Sequence, residues 1–294
     1  MRVSRRARIF LLAAGALGVG LFIAYRIALS WLVTAPNAGD PAPAPRSGEE
    51  VVSATTAPPE TIAYEIVSSL SAGTSGQPAY TVVVLHGLRD SRESMREWAQ
   101  HLADGGARAI LVDARGHGRS TGDRFSYGVR ESLDLMNVTD ALAARGALVG
   151  KLGVLGFSCG GATAIQWAAR DARVAAVVAV APFATMDFVR SYSPVPLPDV
   201  LVNAMIASVG RRSGFDPAEA GGLAWIDKVR LPIQLIHGAL DKRVIPDNSR
   251  RLFAHALTGS DLFIVPDATH PSMLRDASQV GRERARSWFE ARLR

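Results

Sequence analysis

The segment of this 294-residue chain best suited to chemistry is Gly156-Phe157-Ser158-Cys159-Gly160-Gly161. It follows a short apolar run at 152–155 and precedes a stretch with helical spacing at 160–169, so a serine stands between two glycines where a strand turns into a helix. Such a turn is tight enough that only small neighbours fit, and it leaves the hydroxyl exposed. A helix N-terminus aimed at that hydroxyl favours developing negative charge. The chemistry is attack on a carbonyl. A neutral serine is a weak nucleophile, so a base must take its proton and an acid must orient the base. His86, His101, His117, His237, His255 and His270 compete for the first task, and Asp241 and Asp267 for the second. Cys159, the single cysteine, reads as a small buried neighbour of the serine, and alone it supports neither an intramolecular disulfide nor a thiolate metal cluster.

The elements that must position these groups alternate. Apolar, β-branched runs occur at 62–67, 81–85, 109–112, 152–155, 174–180, 233–236 and 262–265. Between them, helical spacing appears at 94–102, 131–144, 160–169, 248–256 and 278–293. Strands that are apolar at consecutive positions and separated by helices predict a mostly parallel sheet covered on both faces, with ligands at the carboxyl ends of its strands. Residues 185–230 interrupt the rhythm with a proline-rich piece at 193–198 and an amphipathic piece at 200–209, which predicts a small cap over the site.

With these pieces in place, the chain resembles the α/β-hydrolase fold family over residues 60–294. The resemblance rests on His86-Gly87-Leu88, Asp113-Ala114-Arg115-Gly116-His117-Gly118-Arg119-Ser120, the Ser158 turn, His237-Gly238-Ala239-Leu240-Asp241 and Val265-Pro266-Asp267-Ala268-Thr269-His270, in that order and at strand ends. Within that family it looks most like small-capped serine hydrolases of the monoacylglycerol-lipase, serine-aminopeptidase and prolyl-oligopeptidase-like kinds. The family order Ser, Asp, His then selects Asp241 as the acid and His270 as the base. The resemblance implies that the backbone N–H groups of Leu88 and Cys159 form the oxyanion hole, that His86 and His117 support loop geometry, and that Asp113 and Arg115 belong to a structural turn. It implies an α/β-hydrolase fold, a Ser158–His270–Asp241 triad and an acyl-enzyme intermediate. Members of the family that act on halides or epoxides carry Asp where this chain has Ser158. The apolar side chains of the cap (Val200, Leu201, Met205, Ile206, Val209) favour a carboxylesterase acting on a small ester. The acids Asp187, Asp199, Asp216 and Glu219 leave an aminopeptidase acting on short peptides as the alternative. A membrane-tethered scaffold without activity is the reading outside enzymology. No phosphate-binding loop or clustered metal-ligand spacing is present, and no cofactor is expected.

The amino terminus carries a separate message. Arg2, Arg5, Arg6 and Arg8 precede residues 9–25, which contain no charge, and Arg26 follows. Without those five arginines, residues 34–294 carry 28 basic and 27 acidic side chains, so the formal charge of +6 is no sign of nucleic-acid binding. A basic flank before an apolar run predicts a single-pass anchor over residues 1–33, with the catalytic domain on the extracytoplasmic (periplasmic) side. The alternative is a signal peptide cut after Ala28-Leu29-Ser30, giving a secreted or periplasmic protein. Residues 34–59, with six prolines, read as an extended tether that holds the domain away from the bilayer.

Overall fold

A computed structural model describes residues 4–37, 49–67, 69, 77–193, 195–275 and 278–294. The chain opens with helix α1 (Arg5–Val33), followed by strands β1 (Glu49–Ala54), β2 (Glu60–Val67) and β3 (Tyr80–Leu85). Next come α2 (Arg96–Asp104), β4 (Ala107–Val112), α3 (Glu131–Ala144), β5 (Leu152–Phe157), α4 (Cys159–Arg170) and β6 (Val174–Val180). The remainder is α5 (Asp199–Ser213), β7 (Ile233–Gly238), α6 (Asp247–His255), β8 (Asp261–Val265) and α7 (Ser278–Leu293).

Among the described residues the strands form one eight-stranded sheet in the order β1-β2-β4-β3-β5-β6-β7-β8. The first two pairings are antiparallel and the other five parallel. Period-two alternation splits the central strands between two cores. Tyr80, Val82 and Val84 of β3 pack with Trp98 of α2 and Phe289 of α7, whereas Val83 and Leu85 pack with Leu135 of α3 and Ile165 of α4. Both faces are covered, so β3, β5 and β6 carry almost unbroken apolar runs. This is the α/β-hydrolase fold.

A third cluster lies beyond the strand ends. It joins Phe183, Phe188 and the apolar face of α5 to Leu29, Leu32 and Val33 at the end of α1. The interval between β6 and β7 therefore folds as a cap in which α5 is the one full helix among the described residues.

Two features depart from a tether at 34–59. Residues 38–48 lie outside the described residues, but both flanks of that gap are built into the domain. Upstream, Tyr127 donates its hydroxyl to the Leu32 carbonyl at 2.7 Å, Ala35 N–H bonds to Asp123, and Asn37 Nδ2 donates to the carbonyls of Gly118 and Ser120. Downstream, β1 pairs with β2 at the sheet edge. The sheet thus begins at Glu49 rather than near residue 60, and the domain sits directly on the end of α1. The six prolines that suggested an extended tether lie on either side of β1, and none falls within it. Glu49 is buried against Arg92 and Arg119, while Leu29, Leu32 and Val33 each gain roughly 1.5–3 kcal/mol by leaving water.

Between the exposed Arg8 and Arg26, α1 exposes the large apolar side chains Phe10, Leu12, Val19, Leu21, Phe22 and Ile23. The helix is long and apolar enough to cross a membrane, and its candidate span runs over Leu12–Val33.

Candidate active site

Three loops at the carboxyl ends of β5, β7 and β8 converge. Ser158 occupies the turn between β5 and α4 with φ 54° and ψ −116°, a conformation that costs a non-glycine residue on the order of 1–3 kcal/mol. It is held there by its own N–H to the Val180 carbonyl (2.8 Å) and by its carbonyl, which accepts from Ala162 N–H (3.1 Å). The glycines on either side are sterically required. A Cβ on Gly156 would lie 2.1 Å from the Gly160 carbonyl oxygen, and one on Gly160 would lie 2.5 Å from the His86 carbonyl oxygen.

Asp241 follows β7 and His270 follows β8. Because β7 and β8 pair in parallel, the two loops leave side by side. They are laced together by Ala239 N–H to Val265 (2.8 Å) and Leu240 N–H to Ala268 (2.9 Å). The result is a hydrogen-bonded chain: His270 Nδ1–H donates to Asp241 Oδ2 at 2.5 Å, and His270 Nε2 faces Ser158 Oγ at 3.1 Å. With the Nδ1 proton committed to the carboxylate, Nε2 presents its lone pair to the serine hydroxyl. All three residues are buried, and the Phe157 ring lies 4.8 Å from the imidazole.

Asp241 is also fixed from behind. Its Oδ1 accepts from the N–H groups of Arg243 and Val244, both at 2.9 Å. His237 Nε2 lies 3.4 Å from Oδ2 and donates to the Val244 carbonyl (2.7 Å), while its Nδ1 accepts from Ser249 Oγ (2.6 Å). Burial by itself would raise the Asp241 pKa, but the bonds from His237, His270 and Val244 outweigh it and hold the carboxyl well below the usual carboxylate range. Asp267, the competing acid, is exposed on the turn. The sequence marked His237 only as preceding the acid turn. The available clue was its i,i+4 spacing to Asp241.

The other histidines lie outside this chain of bonds. His101 on α2 stands 3.3 Å from Glu283, and burial lowers its pKa. His255 on α6 is 3.4 Å from Asp227. His86 and His117 brace loops: each bonds a nearby carbonyl through Nδ1 and accepts a backbone N–H, from Ala114 and Arg89 respectively, at Nε2. Asp113 accepts from Arg92 and from Arg119 N–H, and Arg115 forms a bidentate pair with Asp134 at 2.7 Å. Burial, with His86 adding to it, pushes the His117 pKa down to about 3.

A histidine depressed in this way stabilises the fold fully above its unfolded value of about 6.5, and that stability drains away as the pH falls from there towards 3. The urea midpoint of the wild-type protein should therefore fall more steeply between pH 7 and pH 4 than that of His117→Gln. Parallel pH curves would refute this assignment.

The backbone N–H of Cys159 opens α4 and, like any first-turn donor, has no partner within its helix. The N–H of Leu88 reaches the Cys159 sulfur, so the two donors border one space, and burial pushes the Cys159 thiol up to about 12 against that bond. A cavity of about 570 Å3 opens here, reaching Ser158, His270, Leu88 and Cys159 and walled by Phe188 and Tyr192 from the cap. Arg89, Arg243 and Arg275 line it together with one acid, Asp90. Trp31, from the last turn of α1, also lines it; nothing in the sequence placed that residue at the site. Among the described residues no group of three His, Cys, Asp or Glu side chains is arranged to hold a metal ion.

Comparison with known proteins agrees with this architecture. The family described as serine aminopeptidase, S33, matches residues 76–215. A Bacillus subtilis protein, the uncharacterized YqkD, is 26% identical over 203 residues, which cover 65% of this chain and 64% of that relative's length. An esterase of Pyrococcus furiosus superposes with a TM-score of 0.66 at 22% identity, over 83% of this chain and 92% of its own. A membrane phospholipase A, described as a bacterial virulence factor, superposes with a TM-score of 0.59 at 16% identity, over 98% of this chain and 99% of its own. At these identities the solved structures carry the fold. Together with the S33 match over that part of the chain and the strand order, they show that the chain has the α/β-hydrolase fold.

Proposed function

We propose that the protein is a serine hydrolase that cleaves carboxylic esters through an acyl-enzyme. The observation that carries this reading is the continuous Asp241–His270–Ser158 hydrogen-bond chain, which ends at a strained serine facing a cavity. Ser158 attacks the carbonyl as His270 Nε2 takes its proton, and Asp241 steadies the imidazolium. The oxyanion forms beside the N–H groups of Leu88 and Cys159. His270 then returns the proton to the leaving alcohol, and water repeats the sequence to free the acid.

The charge around the cavity favours an ester over an aminopeptidase substrate. A free α-amine would need acids near Ser158, yet the lining holds three arginines and one aspartate. None of the four cap acids lines the cavity: Asp187 pairs with Arg251, Asp199 with Arg190, Asp216 caps its own turn at Ala218 N–H, and the exposed Glu219 interacts with Arg170.

In this reading α1 anchors the enzyme. Residues 9–28 span about 30 Å as a helix, the thickness of a hydrocarbon core, and the preceding arginines place the domain outside the cytoplasm. Signal cleavage after Ser30 fits less well, because that bond lies between Leu29 and Leu32, both buried under the cap.

Labelling the full-length protein in detergent with a fluorophosphonate probe tests the site. Wild type should label and Ser158→Ala should not, and the labelled enzyme should turn over nitrophenyl esters faster than aminoacyl anilides. Absence of label on folded wild type would overturn the nucleophile, and the reverse substrate order would overturn the ester.

A further inference from the structure

We propose that Trp31 is a specificity-determining residue of this active site, and that it selects esters with a long acyl chain. The proposal rests on the serine-hydrolase reading above and adds the substrate's size and its route.

Trp31 belongs to a helix whose upstream turns are apolar and exposed, yet it borders the same cavity as Ser158 and His270. Its position is fixed from several sides. Leu29, Leu32 and Val33 are packed under the cap, so the rotation of this last turn is set. Tyr25 Oη donates to Ser208 Oγ of α5 at 3.1 Å, which ties the preceding turn to the cap as well. The Trp31 ring lies 5.4 Å from that of Tyr192 and 5.3 Å from the Arg89 guanidinium, which in turn donates to the Thr34 carbonyl at 3.1 Å. Even so, the side chain keeps 40% of its surface exposed. A large aromatic that is held this firmly but left uncovered is a preformed contact surface.

What it would contact follows from its neighbours. Trp31, Tyr192 and Phe188 make one aromatic side of the cavity, with ring centroids 5.4 Å apart for Trp31–Tyr192 and 6.1 Å for Phe188–Tyr192. Rigid apolar area of this kind discriminates by chain length, since each methylene buried adds about 0.8 kcal/mol. A two- or four-carbon acyl group seated at Ser158 is too short to use that wall fully, whereas a longer one runs onto it. The route is consistent with such a substrate. Ile27 and Ala24, four and seven residues before Trp31 and so on its side of the helix, are exposed, so an acyl chain lying along that side of α1 is led to Trp31 at the cavity.

The test uses the full chain in detergent micelles and compares kcat/KM on nitrophenyl butyrate and nitrophenyl decanoate. Trp31→Ala should lower the decanoate-to-butyrate ratio at least tenfold, and Trp31→Phe should restore most of it. Fluorophosphonate labelling at Ser158 confirms that each variant has an assembled site. If Trp31→Ala labels normally and leaves the ratio at the wild-type value, the proposal is overturned while the serine-hydrolase reading stands. If wild type itself takes no label, that reading falls and the proposal falls with it. If Trp31→Ala does not label, Trp31→Leu decides: a lowered ratio supports the selection of long chains, and a wild-type ratio overturns it.

Discussion

Ser158→Ala should lower kcat/KM on an ester by about 10,000- to 1,000,000-fold, and His270→Ala should do nearly the same. The informative result is the double variant. Serine and imidazole act as a unit, because the 3.1 Å contact between Nε2 and Oγ has no catalytic value once either group is gone. The double variant should therefore be no slower than either single one, whereas independent contributions would multiply. Asp241→Asn should cost about 10,000-fold, because an amide donor facing Nδ1 favours the imidazole tautomer that cannot accept the serine proton. Initial rates on a nitrophenyl ester for the three single variants and the double decide the matter. Multiplicative losses would show that the three groups do not work as one relay.

The second large effect concerns stability. Arg115 and Asp134 form a fork-to-fork pair with two bonds of 2.7 Å, and both side chains are buried beneath the loop that follows β4. Arg115→Ala leaves the buried Asp134 without its countercharge and near Glu131, with a Thr56 hydrogen bond as remaining support, and breaking a buried pair in this way costs about 3–5 kcal/mol. For a domain of this size that corresponds to a fall in Tm of roughly 10 °C. Replacing both partners, as Arg115→Met with Asp134→Leu, removes the stranded charge and should recover much of the loss. Thermal unfolding of the two variants in the same detergent separates the explanations. A double variant as unstable as Arg115→Ala would mean that the arginine acts through packing rather than charge.

Much of this was legible in the sequence, for physical reasons that can be named. The seven apolar runs became β2 to β8. The five that formed β3 to β7 are buried on both faces, which leaves a continuous apolar signature. Strand β2 and the edge strand β8 are half-buried and were legible from their β-branched residues. Ser158 was legible from its flanking glycines at a strand–helix turn, whereas Asp241 and His270 stood out from their competitors only through the family order Ser, Asp, His that the resemblance implied. Strand β1 was not, since an edge strand needs only one buried face. Its leading glutamate pairs with arginines 43 and 70 positions away, a pairing that no local pattern reveals. Trp31 and His237 were missed for a related reason. The value of each depends on what folds against it from afar, α5 and the cap in one case and Ser249 of α6 in the other.

The join between α1 and the domain also constrains how the molecule points. A protein hung on a loose leash tumbles, and its entrance faces every direction in turn. Here the turn carrying Leu29, Leu32 and Val33 is cemented into the body, so there is no swivel between the helix and the catalytic face. The compass bearing of the cavity is thereby set by the tilt of a single rod. Bending or re-angling that rod would re-aim the enzyme without altering a single group at its centre.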